Sequence, residues 1–276
     1  MGKVYKDNDE FSENAEEENE DVDKLILEGE KFEESGDLLG AAQRFNQAAL
    51  ILLENGEHER AVDCCLRALK NYEKIGDEKG IADTSYNLCI AFSNIGKHEN
   101  AISYCNRALQ IYEKFKEEEG LADTYYGLAV VYLNMQKFED AINYLQKAIK
   151  MYKKLDITDG LVSAYLDLGS SYLALNDTQK AERSFKRALD IIEEKEDTPS
   201  VADTLVTIAE AWEESGKYDK AVDYYFKAID KYLEASDMEL VEDIIERIKD
   251  LIPEFGREKA KKIRRLLAEY KSKIRS

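Results

Sequence analysis

One repeating pattern, with a period of forty residues, constrains this chain more than any other feature of its sequence. In each unit an alanine is followed seven residues later by a second alanine, and a larger or softer residue lies four residues after the first. The first alanines are Ala61, Ala101, Ala141, Ala181 and Ala221, the second are Ala68, Ala108, Ala148, Ala188 and Ala228, and the residues between them are Cys65, Cys105, Leu145, Phe185 and Tyr225. Positions four and seven residues apart share one face of a helix. Each unit therefore predicts a helix with an apolar stripe of small, large and small residues.

A second helix precedes this one in each unit. A small residue lies twelve residues before the first alanine, and an aromatic residue follows it after three more. The small residues are Cys89, Ala129, Gly169 and Ala209, and the aromatics are Phe92, Tyr132, Tyr172 and Trp212. Because small residues let helices approach closely, we expect the small residues of the two helices to face each other. With only 2 prolines and 14 glycines in 276 residues, too few for many short strands, the chain is predicted to be all-α and built from helical hairpins.

The spacing of the repeated residues is half as long before the first complete unit. Ala41, for example, precedes Ala61 by half a period, as Gly36 precedes Gly56. This spacing predicts one helix over about 39–53 that serves two neighbours. It would close a hairpin that begins with residues 24–35 and open a hairpin that residues 58–75 complete.

These residues together resemble the tetratricopeptide repeat. The family's pattern of leucine, a small residue and an aromatic, followed by alanine, aromatic and alanine, is matched four times between Ile81 and Leu233. The units are six residues longer than the usual 34 and open with Gly-x-Ala-Asp-Thr or a variant, which is similar to the repeats of kinesin light chains and Pins-type adaptors. The resemblance implies a right-handed superhelical solenoid of helical hairpins. The halved rhythm is also similar to the SNAP-type helical adaptors, so a SNAP-like adaptor is an alternative.

The resemblance implies a non-enzymatic scaffold or adaptor that binds a peptide or helical segment of a partner in a concave groove. The first helix of each hairpin lines that groove in tetratricopeptide proteins. Matched position by position, the predicted groove residues are Asp83, Tyr86, Asn87, Asn94, Asp123, Tyr126, Asn134, Asp167, Asp203, Thr207 and Glu210. Members that hold the carboxylate of a chaperone tail need lysine and arginine there, and this chain has neither between residues 81 and 215 of the first helices. We therefore expect a basic or amphipathic protein partner.

Composition divides the chain into three segments. Residues 1–23 carry ten acidic residues and two lysines, which predicts a disordered acidic tail. Residues 24–235 are predicted to form the solenoid, and residues 236–276 to form C-terminal capping helices. The last helix, from Arg257, carries nine basic and two acidic residues. It either covers the apolar end of the solenoid or masks the groove as an autoinhibitory element, and both interpretations stay open.

Charge and composition also exclude several functions. The chain has 39 basic and 58 acidic residues, and its net charge of −19 opposes general binding to nucleic acid or anionic lipid. No apolar run is long enough to predict membrane insertion. The four cysteines form no Cys-x-x-Cys pair and occupy core positions, which favours a reducing, cytoplasmic location and neither a reactive thiol nor a metal site. Without a catalytic or cofactor motif, we expect no enzyme activity, no cofactor and no metal, whereas the oligomeric state is unknown.

Overall fold

The computed structural model describes the backbone of residues 8–274 and the side chains of residues 21–272. Within that part of the chain there are thirteen α-helices, one 3₁₀ turn at Ile252–Glu254 and no β-strand. The helices are α1 (Asn8–Ser35), α2 (Leu38–Glu54), α3 (His58–Ile75), α4 (Glu78–Asn94), α5 (His98–Phe115), α6 (Glu118–Asn134), α7 (Phe138–Leu155), α8 (Thr158–Ala174), α9 (Thr178–Glu193), α10 (Thr198–Glu214), α11 (Tyr218–Ala235), α12 (Met238–Leu251) and α13 (Arg257–Ile274). The predicted all-α class is confirmed.

The period of the sequence sets the helix boundaries. From α2 to α12 every helix begins half a period after the previous one, so two helices make one unit. Four of these starts are capped by an aspartate whose side chain accepts the backbone N–H three residues later, which satisfies a donor that the helix leaves unpaired. These aspartates are Asp37, Asp77, Asp177 and Asp237. The tight turns between helices follow from such local signals.

The chain forms two compact parts, which we call unit 1 and unit 2 and which are distinct from the single repeats of the sequence. The boundary lies between Met151 and Tyr152 in α7. In the first unit, α2 packs against both α1 and α3, as the halved rhythm predicts, and α4, α5 and α6 follow in the same manner. In the second unit, α8 to α12 pack in sequence and have their own core. The segments predicted at 1–23, 24–235 and 236–276 stay a prediction, because this division reflects compactness and not composition.

The first helix begins earlier than the composition predicts. α1 extends back to Asn8 and so includes most of the segment for which we expect disorder. Val22 is completely buried and Asp23 pairs with Arg60 of α3. A helix anchored in this way can continue through glutamate-rich sequence, because glutamate is a good helix former. Residues 1–7 of the predicted tail lie outside the described residues.

Each hairpin is closed by a small residue on its first helix that faces a residue sixteen positions later on its second helix. In unit 1 a Cβ atom on Gly29 would lie 2.8 Å from the ring of Phe45, and in unit 2 a Cβ atom on Gly169 would collide with the ring of Phe185. The same positions are occupied by Ala49 and Cys65, Cys89 and Cys105, Ala129 and Leu145, and Ala209 and Tyr225, all of them buried. Gly29 and Gly169 therefore face large rings, where the sequence led us to expect small against small, whereas both members of the pairs Ala49–Cys65 and Cys89–Cys105 are small.

One hairpin replaces this pairing by a covalent bond. Cys89 of α4 and Cys105 of α5 form a disulfide, with their Cα atoms 5.2 Å apart. Cys64 and Cys65 are free and buried, and burial raises the pKa of the Cys65 thiol to about 12. The expectation that all four cysteines are reduced core residues is wrong for Cys89 and Cys105. The reason is geometric, because facing positions of a hairpin lie within the separation that a disulfide requires.

The two last helices cover the end of unit 2. Ile263 and Leu267 of α13 are buried. The hydroxyl of Tyr270 donates to Asp230 of α11 over 2.8 Å, and the Tyr270 ring stacks on Phe226 with 5.5 Å between ring centroids. Part of the apolar stripe of α13 thus packs into the core of unit 2 and against α11. Whether the helix acts as a cap or as an autoinhibitory element stays a prediction.

Candidate functional site

We call the helices that open the hairpins, α4, α6, α8, α10 and α12, the first helices, and the predicted groove residues lie on the first four of them. In unit 1, the neighbouring helices α4 and α6 carry Asp83, Tyr86, Asn87, Asn94, Asp123, Tyr126 and Asn134. In unit 2, the neighbouring helices α8 and α10 carry Asp167, Asp203, Thr207 and Glu210. The structure therefore groups these residues in two sets, one in each unit.

Two of the predicted groove carboxylates are acceptors for buried tyrosines. The hydroxyl of Tyr112 on α5 donates to Asp83 of α4 over 2.7 Å, and the hydroxyl of Tyr232 on α11 donates to Asp203 of α10. Burial and the hydrogen bond to the carboxylate raise the pKa of both tyrosines above the usual value. Asp83 and Asp203 therefore join the two helices of their own hairpin.

The glycine of the opening motif makes room for tyrosines at this position of the repeat. A Cβ atom on Gly120 would lie 2.6 Å from the ring of Tyr112, and one on Gly160 would lie 2.7 Å from the ring of Tyr152. Glycine is required at these positions because the ring of the preceding helix occupies the place of a side chain. The glycine and the aspartate of the motif thus serve packing between helices.

One repeat of the sequence lacks the tyrosine, and the opening motif changes together with it. Ile192 of α9 occupies the position that tyrosine has in the neighbouring units. At the positions that correspond to the glycine and the aspartate, this unit has Ser200 of α10 and Ser163 of α8. This joint replacement is what a packing role for the motif predicts.

Two further predicted residues in unit 1 connect neighbouring helices. The side-chain amide of Asn87 is buried and donates to Asn46 of α2 over 3.1 Å. The amide of Asn134 on α6 donates to Ser93 of α4 over 3.0 Å. Of the predicted residues on α4, only Asn94 at the end of the helix has an exposed side chain.

The aromatic residues predicted for the groove of unit 1 are partly buried. The ring of Tyr86 lies against Gly127 of α6, where an added Cβ atom would be 3.1 Å away. Burial, with a smaller contribution from the charge of Asp123, raises the pKa of Tyr86 above its usual range. Tyr126 is partly buried on the same helix as Asp123. These side chains contribute mainly to the contact between α4 and α6.

In unit 2, α10 and α12 together with two tyrosines of α11 form a cleft of about 200 Å³, which we call the α10–α12 cleft. Its lining residues are Val206, Glu210, Tyr225, Tyr232, Leu240, Asp243, Ile244 and Arg247. Of the predicted groove residues only Glu210 lines it, whereas Thr207 is exposed nearby and donates to the carbonyl of Asp203. The residues on α12 were missed because α12 was interpreted only as a cap. The period could have found them, since Asp243 and Arg247 follow Asp203 and Thr207 by one full repeat.

The α10–α12 cleft has one cation, which pairs with a carboxylate, and further acidic side chains beside it. Arg247 donates from Nε to Glu213 over 3.1 Å, and the hydroxyl of Tyr225 donates to the same carboxylate over 2.7 Å. The cleft's cation is thus neutralised by a carboxylate of α10. Glu210 and Asp243 add negative charge beside the apolar side chains that line the cleft.

The part of the chain with described side chains offers no group of three histidine, cysteine, aspartate or glutamate residues that could hold a metal ion. None of the described helices is long and apolar enough to span a bilayer. His58 and His98 begin α3 and α5 at equivalent positions of the repeat. The predicted metal and membrane absences concern the whole chain and stay expectations.

Several solved structures have a similar fold. BtubC (BKLC) from P. vanneervenii has a TM-score of 0.64 and 18% identity, over 79% of this chain and 92% of that one. A putative kinesin light chain with nearly identical repeats from Podospora anserina has a TM-score of 0.59 and 15% identity, over 70% and 95%. A Rap protein complexed with competence and sporulation factor has a TM-score of 0.55 and 14% identity, over 91% and 76%. At these identities the likeness concerns the fold.

No curated protein matches the chain by sequence. A sequence model of the tetratricopeptide repeat matches residues 80–154 and 160–234, which together are more than half of the chain. These are the residues that the repeating pattern and the helix pairs α4 to α11 cover. The chain belongs to the tetratricopeptide repeat family.

Proposed function

We propose that this protein is a non-enzymatic scaffold that binds a basic or amphipathic segment of a partner protein on its first helices. The observation that supports this most directly is the α10–α12 cleft, which combines apolar walls with two acidic residues in addition to the carboxylate that pairs with Arg247. Val206, Leu240 and Ile244 offer an apolar surface for an anchoring side chain. Glu210 and Asp243 lie where they would pair with lysine or arginine next to that anchor.

Family membership supports the same proposal at a coarser level. Tetratricopeptide repeats provide surfaces for protein interaction, and the similar Rap structure is a complex with competence and sporulation factor. In unit 1 the exposed amides of Asn94 and Asn134 extend the proposal to α4 and α6, because an amide can both donate to and accept from an extended backbone. Each unit would thus offer its own set of binding side chains.

The chemistry of the cleft favours binding over catalysis. Its two tyrosines, Tyr225 and Tyr232, donate to Glu213 and Asp203, and burial with these hydrogen bonds raises both pKa values above the usual range. Such phenols stay protonated at neutral pH and serve as neither bases nor nucleophiles. The cytoplasmic location remains part of the expectation, although the disulfide removes the cysteine argument for it.

The proposal is tested by capture of partners from a native lysate with two charge-reversed variants. Asp243→Lys changes a residue that lines the cleft, and Glu242→Lys makes the same change of charge at the neighbouring exposed residue outside it. We expect the wild-type protein and Glu242→Lys to retain the same partners and Asp243→Lys to lose them. Circular dichroism checks that both variants keep their helices.

A defined peptide makes the test quantitative. A fluorescent peptide in which lysine alternates with leucine should bind the wild-type protein, and Asp243→Lys should weaken binding by about tenfold. Equal weakening by Glu242→Lys would mean that the peptide responds to net charge alone. Equal capture by all three proteins from the lysate would contradict a binding role of the cleft.

A further inference from the structure

The terminal hairpin, α12–α13, lacks the small residue that the preceding hairpins have on their first helix. α12 keeps the register of α10, since Ile248 follows Ile208 by one full repeat and both are completely buried. At the small position, however, Lys249 stands where α10 has Ala209. A long charged side chain leaves no place for a bulky apolar residue from the facing helix. The terminal hairpin therefore cannot close as its predecessors do.

A cleft of about 470 Å³ occupies the place where the two helices of this hairpin would otherwise meet. We call it the terminal cleft. Its apolar lining consists of Ile252, Pro253, Leu267 and Ala268, and its charged lining consists of Lys249, Arg264 and Lys271. All of these residues belong to α12, the 3₁₀ turn or α13, so the terminal cleft lies within unit 2 and is distinct from the α10–α12 cleft.

The terminal cleft is positively charged although the protein is strongly acidic. Lys249 and Lys271 both contact one carboxylate, that of Glu246, the second over 3.4 Å. Arg264 makes no ion pair with any side chain among residues 21–272. Three cations therefore lie near two carboxylates, Glu246 and, next to Lys249, Asp250, in a chain whose net charge is −19. A surface of this sign attracts negatively charged groups at short range.

We propose that the terminal cleft binds an acidic peptide segment of a partner protein that carries an apolar anchoring side chain. The apolar lining of Leu267, Ala268 and Ile252 would receive the anchor, and Arg264 would form charge-assisted hydrogen bonds with a flanking carboxylate. An apolar floor favours a peptide over nucleic acid, whose phosphates need cations without apolar contacts. This site has the opposite charge preference to the α10–α12 cleft and does not depend on it.

The test uses the full chain and a fluorescent peptide in which glutamate alternates with leucine. Arg264→Glu should weaken its binding by about tenfold or more. Arg265→Glu is a matched control, since Arg265 is the next residue, undergoes the same change of charge, lies outside the cleft and is 83% exposed beside Glu269. We expect Arg265→Glu to bind the peptide as the wild type does.

A second variant probes the apolar part without a change of charge. Ala268→Leu fills the floor of the terminal cleft from an exposed position, so it should weaken binding of the glutamate–leucine peptide while the helices stay folded. A peptide in which glutamate alternates with serine should bind the wild type at least tenfold more weakly, because it lacks the anchor. Equal binding of both peptides would overturn the proposal.

Other occupants give different outcomes. Equal loss of binding in Arg264→Glu and Arg265→Glu would reduce the effect to general electrostatics and overturn the proposal. Tighter binding of a duplex DNA or RNA oligonucleotide than of the peptide would assign the cleft to nucleic acid instead. A dimer in sedimentation velocity that Arg264→Glu abolishes and Arg265→Glu preserves would assign it to a second copy of this chain.

Discussion

Two hairpins of unit 2 share one register and yet differ in how their helices meet. In α8–α9, Gly169 faces Phe185 so closely that a Cβ atom would collide with the ring. In α12–α13 the small residue is replaced by Lys249, and a cleft of about 470 Å³ lies between the helices. A single pair of facing positions thus decides whether a hairpin forms closed core or leaves a surface that can bind. In such a chain, candidate binding sites are best sought at positions where a residue differs from the one that the repeat has elsewhere.

Removing the side chain that closes the α8–α9 hairpin should have the largest effect on the free energy of unfolding. Phe185→Ala removes the ring that fills the space above Gly169 and contacts Trp212 edge-on, with 5.8 Å between ring centroids. We expect the free energy of unfolding to fall by about 3–5 kcal/mol, the usual cost of deleting a buried phenylalanine side chain. Urea denaturation followed by circular dichroism measures it.

Phe226→Ala is the control for ring size. Phe226 is only partly buried and stacks on Tyr270 of α13, next to the open hairpin. Its loss should therefore cost clearly less than the loss of Phe185. Equal costs for the two variants would show that closure of α8–α9 by the small-to-large pair has no special weight.

The disulfide of α4–α5 is a covalent form of the same closure. Reduction of the Cys89–Cys105 bond, whose partners are 16 residues apart, should lower the free energy of unfolding by about 3 kcal/mol, since the bond restricts the unfolded chain. Urea denaturation with and without dithiothreitol measures the difference. Cys64→Ala leaves the bond intact and should keep the sensitivity to reductant. No shift of the wild-type midpoint on reduction would mean that the bond does not form in solution.

Tyr112→Phe tests the hydrogen bond between the two helices of that hairpin. The variant keeps the ring against Gly120 but removes the donor to Asp83, and we expect a loss of about 1–2 kcal/mol at pH 8. Burial and the Asp83 hydrogen bond raise the pKa of Tyr112 above its unfolded value of about 10. The hydroxyl's contribution is therefore complete below about pH 10 and decreases as the pH rises further.

The pH dependence separates this hydrogen bond from simple packing. In urea denaturation, the difference between wild type and Tyr112→Phe should be smaller at pH 11 than at pH 8. Tyr232→Phe, which removes the donor to Asp203 in unit 2, should act in the same direction. A difference that is constant between the two pH values would contradict the raised pKa.

The sequence was sufficient to predict the repeat, but it did not predict which residues of the two helices of a hairpin contact each other. The period and the shared helix α2 follow from local patterns, because every unit packs on a copy of itself. Asp83 was predicted as a groove residue, although its partner Tyr112 recurs with the same period. The joint change to Ser163 and Ile192 could have revealed that pairing. The clefts could not be predicted, because they depend on distances between helices that no single helix determines.

The smallest effect is expected where a small residue is restored without its partner. Lys249→Ala gives α12 the residue that α10 has at Ala209, but no bulky apolar side chain of α13 faces it, since Arg264 lies across the cleft. The change removes only the exposed pair with Glu246, so the free energy of unfolding should change by less than about 1 kcal/mol. Urea denaturation beside the reverse substitution, Ala209→Lys, gives the comparison, because Ala209 is completely buried and a lysine there would cost several kcal/mol. Similar costs for the two substitutions would mean that the terminal hairpin is closed in solution after all, and a large stabilisation by Lys249→Ala would mean that it closes once the lysine is gone.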